Sequence, residues 1–187
     1  MNLTDFIRRH IPLTPDMLED LHRVTIREQV PAHQVLVRPG QYCRKLFFIE
    51  EGLIRESYFS ISGKETTYRF NIEGAFVTVA DSFLDHQPSR YSLETLEDSG
   101  LCSITLTDFE ELLRKHPVFE KLQILIQHQL MLEMKDRITA LQFQTAKERY
   151  ESLLENQPSI FQRVSLGHIA SYLGISQETL SRIRSKK

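Results

Sequence analysis

The sequence predicts an α+β protein in which an antiparallel β-barrel or roll is followed by a long helix and a C-terminal helix-turn-helix. Three observations support this fold class. From about Val24 to Leu106, apolar and polar residues alternate in short runs, as is typical of strands. After Thr107 the apolar period lengthens to three or four residues, which indicates helices. The last 24 residues form two short capped helices around a glycine.

The composition is that of a folded protein with one or two domains. The chain has 187 residues, of which 41% are hydrophobic, and its net charge is −2. No apolar run approaches the ~20 residues of a membrane-spanning helix, and the N-terminus lacks a signal pattern, so we expect a cytoplasmic protein without a membrane partner. Its two cysteines, Cys43 and Cys102, exclude a disulfide scaffold, a four-thiolate zinc site and an all-cysteine iron–sulfur cluster.

The N-terminal half begins with helices and continues with strands. Two short helices are expected within residues 3–22, separated by Pro12 and Pro15, with Thr14 as an N-cap. Glycine-containing turns then separate short alternating runs, which predict the antiparallel barrel or roll. These runs are residues 35–37, 46–49, 53–59, 66–70, 92–96 and 101–106.

A long apolar stripe follows a short helix that Thr107 and Asp108 are expected to cap. The long helix is predicted to begin at Pro117 and to break near Gln144. Its stripe consists of Phe119, Leu122, Ile126, Leu130, Met134, Ile138 and Leu141. A small domain does not easily cover a stripe of about six turns, so we expect these residues to form a dimer interface with a second copy. Burial along the protein's own roll is the alternative.

A capping-box pattern at Thr145 and Glu148 begins a further helix, which ends at Gln157. The expected parts of the chain are therefore residues 1–116, 117–144 and 145–187. The last part carries a net charge of +3, against −5 for the rest. This asymmetry is typical of a polyanion-binding module, although helix C-termini also favour cations.

The C-terminal segment has the pattern of a helix-turn-helix. Ser165 caps a first helix, Gly174 follows its end and Ser176 caps a second helix. The expected buried residues are Ile169, Ala170, Leu173, Ile175, Leu180 and Ile183.

The outward face of the second helix carries side chains that can read bases. Arginine donates two bonds to guanine, glutamine suits adenine and glutamate accepts from cytosine. Basic side chains further along would lie near phosphates. The predicted DNA-binding residues are Ser176, Gln177, Glu178, Thr179, Ser181, Arg182, Arg184 and Lys186. An ordinary helical hairpin with a solvated polar face is the alternative.

Residues 169–183 resemble the recognition signature of the Crp/Fnr family of bacterial transcription factors, and the resemblance extends over nearly the whole chain. It implies a jelly-roll (double-stranded β-helix) domain like those that bind cyclic nucleotides, a dimerisation helix and a DNA-reading helix. Glu178 and Arg182 match typical base-contacting positions, whereas Gln177 replaces a frequent arginine. The family's usual wing is expected to be missing after Lys187. The implied partners are double-stranded DNA, a second copy and RNA polymerase.

The effector half departs from the resemblance at the phosphate cassette, which reads approximately F-G-E-L followed by R-S in cyclic-nucleotide binders. Residues 76–81 lack its glycine and glutamate, and Arg90 is displaced by one position. Cyclic AMP is therefore not expected, no cofactor is evident, and an unidentified small-molecule effector is left open. The candidate effector pocket consists of Phe76, Val77, Ser89, Arg90, Tyr91, Ser92 and Met134.

The sequence offers no sign of an enzyme. It contains no P-loop, no HExxH and no usable nucleophile–base grouping, so neither catalytic nor metal-ligating residues are predicted. The competing hypothesis is a ligand-sensing or protein-interaction module whose helix-turn-helix is degenerate.

Overall fold

The computed structural model describes residues 1–60 and 63–185 as a β-roll surrounded and followed by helices. The strands are β1 (Ile26–Val30), β2 (Val35–Val37), β3 (Lys45–Glu51), β4 (Ile54–Phe59), β5 (Glu65–Asn71), β6 (Phe76–Val77), β7 (Tyr91–Thr95) and β8 (Ser99–Thr105). The helices are α1 (Leu3–Arg8), α2 (Pro15–Val24), α3 (Ala80–Asp85), α4 (Leu106–Lys115), α5 (Glu120–Phe143), α6 (Ala146–Asn156), α7 (Ile160–Arg163), α8 (Leu166–Leu173) and α9 (Gln177–Ser185). Among these helices, none is both long and apolar enough to cross a membrane.

Two four-stranded antiparallel sheets form the roll, with strand orders β1-β8-β3-β6 and β2-β7-β4-β5. Apolar side chains from both sheets meet between them, including Ile49, Ile54, Leu93 and Leu101, each at most 1% exposed. The predicted antiparallel roll is therefore confirmed. The sequence missed β1, β6 and the short helices α3 and α7, because these elements are too short to show a clear apolar period.

The helix after the roll begins two residues earlier than predicted. The Thr105 side chain, at the end of β8, accepts a hydrogen bond from the Asp108 backbone at 3.2 Å and is the N-cap. Thr107 therefore lies inside α4 rather than at its cap. The predicted caps at Thr14 and Thr145 are confirmed, the latter as a complete capping box with Glu148.

A second apolar core lies on the outer face of the first sheet. Phe48 and Cys102 pack there against the N-terminal helices, α4 and the beginning of α5. Phe119 and Leu122, at 1% and 4% exposed, are buried in this core, and Ile126 packs against it. The prediction that these three residues form a dimer interface is therefore corrected, because the protein's own helices already cover them.

The remainder of α5 presents a different apolar face to solvent. Its residues are Ile124, Gln127, Met131, Met134, Ile138 and Leu141, spaced alternately by three and four positions. The five apolar members are between 45% and 64% exposed. Leu130, another predicted interface residue, is half-buried beside this face and lines the same shallow groove. We refer to the six residues Ile124, Gln127, Met131, Met134, Ile138 and Leu141 as the α5 seam.

Candidate DNA-binding surface

Helices α8 and α9 form the predicted helix-turn-helix. Ser165 Oγ accepts from the His168 amide at 3.3 Å, and Ser176 Oγ accepts from the Thr179 amide at 3.2 Å, so each helix has a serine cap. Between them Gly174 has a φ of +70°, the left-handed conformation that costs least for glycine. Its amide donates to Ser171 O at 3.1 Å. The turn thus has the geometry that the sequence predicted.

Buried residues fix the orientation of α9. Leu180 is fully buried, and Ile183 packs against the same core as Ile169 and Leu173 of α8. This packing turns four of the predicted base-reading side chains outward. Gln177, Glu178, Ser181 and Arg182 are exposed, as is Arg184 further along the helix. The structure therefore brings the predicted DNA-binding residues onto one accessible helix, except Lys186, which lies outside the described residues.

Local hydrogen bonds orient the outward side chains. Thr179 Oγ1 lies 3.1 Å from Ser176 Oγ and accepts from the Arg182 guanidinium at 3.2 Å. Hydrogen bonding to Ser176, and to the backbone, lowers the pKa of Glu178 below its usual range, so its carboxylate is an acceptor at neutral pH. Glu178 and Arg182 therefore present one acceptor and one forked donor from adjacent turns.

The helix-turn-helix docks on the roll through α8 and α7. Ser171 Oγ of α8 accepts from the Thr67 amide of β5 at 2.9 Å. Arg163 of α7 forms ion pairs with Glu73, at 2.7 Å, and with Glu97, and these charge-assisted bonds raise its pKa. These docking contacts involve α7 and α8 and leave the outward face of α9 accessible. The sequence missed these contacts because each joins residues more than 60 positions apart.

The predicted effector-pocket residues do not converge on one site. Phe76 packs outward in an aromatic cluster with Phe6 and Phe48, whereas Val77 is buried inside the roll. Arg90 is exposed. Met134 lies on α5, where it borders a cavity of about 590 Å³ between β5, α5, α6 and α8. The sequence prediction of a single pocket is therefore corrected.

The turn from β6 into α3, which matches the phosphate cassette, does not fit a cyclic phosphate. Asp81 occupies the first turn of α3 and accepts from the Ser82 amide at 2.9 Å, so a carboxylate already uses this amide. Inside the roll, burial raises the pKa of Glu56 although Arg69 pairs with it at 3.4 Å. The Asp81 carboxylate at the start of α3 therefore disfavours a second anion, such as a phosphate, at this turn. In the described part of the chain, no group of three potential metal ligands occurs.

Known proteins share both the sequence pattern and the fold. A family profile described as the cyclic nucleotide-binding domain matches residues 27–116. Regulatory protein HlyX of Actinobacillus pleuropneumoniae is 26% identical over 84% of this chain and 69% of its own length. The fumarate and nitrate reduction regulatory protein of Vibrio cholerae is 27% identical over 91% of this chain and 72% of its own.

The solved structure of the c-di-GMP responsive global regulator CLP of Xanthomonas campestris has the same fold. It matches 92% of this chain and 91% of its own with a TM-score of 0.74, at 20% identity. Profile, relatives and geometry together define a transcription regulator that joins a cyclic nucleotide-binding domain to a helix-turn-helix. Within this class, the chain is similar to regulators of the Crp/Fnr family. The competing hypothesis of an interaction module with a degenerate helix-turn-helix is not supported.

Proposed function

We propose that the protein regulates transcription as a homodimer that inserts α9 of each copy into the major groove of a pseudo-palindromic DNA site. The observation that carries this proposal is the outward face of α9, where Gln177, Glu178, Ser181 and Arg182 are exposed above a fully buried Leu180. A helix buried on one side and equipped with base-reading groups on the other has the chemistry of a recognition helix.

The α5 seam supports the dimer. An alternating three- and four-residue spacing is the heptad pattern of a two-stranded coiled coil, in which an identical helix supplies the facing side chains. Most of the seam faces away from the roll: Gln129, Glu133 and Ala140, on the opposite side of α5, line the cavity beside β5, which the seam residue Met134 borders at its edge. A second copy on the seam would place two recognition helices on one side of the dimer, with half-sites about 34–36 Å apart.

The proposal assigns different roles to two arginines of α9. Because Arg182 lies one turn after Glu178 on the outward face of α9, we expect it to contact a base, whereas Arg184, further towards the C-terminal end, is expected to contact a phosphate. Arg182→Ala should weaken binding to the preferred site by about 1–3 kcal/mol and relax specificity at one position. Arg184→Ala should weaken binding to all duplexes similarly. It should also reduce the slope of the logarithm of the binding constant against the logarithm of the salt concentration by about 1.

Fluorescence anisotropy on preferred and scrambled duplexes, at several salt concentrations, measures both effects. The two variants remove the same charge from the same helix, so each serves as the control for the other. Equal losses on both duplexes for Arg182→Ala would contradict its role as a base reader.

A further inference from the structure

A half-buried arginine of the long helix holds the end of the first helix of the helix-turn-helix. Arg137 of α5 donates through its guanidinium to the Tyr172 carbonyl oxygen near the C-terminus of α8. The same guanidinium carbon lies 4.1 Å from the centre of the Tyr172 ring, in cation–π contact. Two independent contacts therefore attach α8 to α5 at this point.

A second arginine joins the same place from α6. Arg149 Nε donates to the Leu173 carbonyl oxygen at 3.0 Å, and its Nη1 donates to the Gln144 carbonyl oxygen at 2.6 Å. The Gln144 carbonyl lies just past the end of α5. One guanidinium thus connects the ends of two helices.

The carbonyl ends of helices are suitable partners for these cations. The last carbonyls of a helix lack partners within the helix and carry partial negative charge, and charge-assisted bonds are stronger than neutral ones. Within the described residues, neither arginine has a carboxylate within 4 Å. Burial lowers the pKa of Arg137, and the nearby charge of Arg149 lowers it further. Placing two guanidinium groups together therefore costs free energy, which the helix-end contacts offset.

These arginine contacts lie between the long helix α5 and the helix-turn-helix. Only Gln144 and Thr145 separate α5 from α6, and α9 follows α8 after a turn of three residues. Leu141 of the α5 seam also approaches Gly174, at 3.8 Å from the position that a β-carbon would take there. The end of α8 is therefore fixed directly against the end of the helix that would carry the dimer.

We propose that Arg137 and Arg149 are positioning residues that fix the angle between α5 and α9 and so set the half-site spacing that the dimer accepts. This inference rests on the proposed function. In this role the two arginines, which do not face DNA, determine which half-site spacing is accepted and not which bases are read.

The test is DNA binding to a series of duplexes that carry two identical half-sites at spacings increased by single base pairs. Each added base pair rotates the second half-site by about 35°, so a rigid dimer accepts few spacings. Wild type is expected to prefer one spacing by about tenfold or more. The Arg137→Ala/Arg149→Ala double variant is expected to reduce this preference to about threefold or less while binding to a single half-site stays within about twofold.

Two controls separate this role from general stability. Arg114→Ala removes an exposed positive charge from α4 and should leave the spacing preference unchanged. Arg182→Ala should weaken binding at every spacing but keep the optimum. If the double alanine variant does not fold, Arg137→Lys and Arg149→Lys, which keep charge and stem but lose the forked geometry, give the same comparison.

The outcomes distinguish the two proposals. A variant that folds, binds a single half-site normally and keeps the wild-type spacing optimum overturns the positioning role alone. If wild type binds no duplex, or binds all spacings equally, the proposed paired recognition fails before the variants are compared. A broadened spacing profile with unchanged half-site binding is the expected result.

Discussion

At the scale of single residues, the positions that the sequence predicted best are those whose role is local. Gly174 follows the end of α8 and has a positive φ, and Ser165 and Ser176 are caps whose partners lie three residues away. Such roles depend on a few neighbouring residues, so they can be predicted from the local sequence. Arg137, Arg149 and Arg163 could not be assigned, because each has a partner that lies between 24 and 90 positions away.

Two glycines of the helix-turn-helix provide a matched pair for testing the turn. In Gly174→Ala the new methyl group has ordinary space, so the cost is the left-handed backbone, about 1–2 kcal/mol. Gly167 lies in α8 with an ordinary φ, and an added methyl group would make only ordinary contacts there, so Gly167→Ala should leave stability unchanged or raise it by up to about 1 kcal/mol. Chemical denaturation measures both. Equal effects of the two substitutions would contradict the assigned backbone role.

A charged cluster at Asp20 predicts a pH dependence of stability. Lys115 Nζ lies 2.6 Å and His116 Nε2 2.7 Å from the Asp20 carboxylate, and hydrogen bonds from these two groups lower its pKa to about 2. A carboxyl whose pKa is lower in the folded state stabilises the fold above its unfolded pKa of about 3.9. Stability should therefore fall as the pH drops from about 4 towards 2.

Denaturation at a series of pH values checks this expectation for Asp20. Asp20→Asn should flatten part of the fall between about pH 4 and 2, because the substituted side chain no longer titrates there. Asp85→Asn, which removes an exposed carboxylate from α3, is the control and should keep the wild-type slope. The same slope in Asp20→Asn as in wild type would refute the role of this cluster.

At the scale of elements, α5 shows why a correct helix was assigned a partly wrong interface. The predicted stripe followed the apolar residues at three- and four-residue steps, and two faces satisfied this pattern in succession. Phe119 and Leu122 belong to the intramolecular core, whereas Met134, Ile138 and Leu141 belong to the α5 seam. Periodicity indicates that a face is apolar but does not indicate what covers it, so the transition near Ile126 required the tertiary structure.

The α5 seam can be tested by a charge placed within it. Ile138 is 53% exposed in the single chain, and Ile138→Asp would bury two like charges against each other in the proposed dimer. We expect this variant to sediment as a monomer at micromolar concentrations where wild type is a dimer. Leu132→Asp, an equally drastic change on another exposed face of α5, should remain dimeric. A dimeric Ile138→Asp variant would exclude this seam.

At the scale of the whole molecule, the sequence predicted the order of parts but not their contacts. Short strands and glycine turns indicate a roll, but the pairing of β1 with β8 joins residues some 70 positions apart and leaves no local pattern. The docking of α8 on β5 through Ser171 and Thr67 is equally long-range. The residues of the candidate site were predicted more completely than the contacts between elements, because nearly all of them lie within the last helix.

The central claim is that a dimer reads DNA through α9, and selection of bound duplexes from a random pool by the purified protein tests it most directly. We predict enrichment of an inverted repeat whose half-sites lie about one helical turn apart, which Arg182→Ala protein does not enrich equally. Enrichment of no sequence, or of an isolated half-site bound by a single chain, would contradict the account.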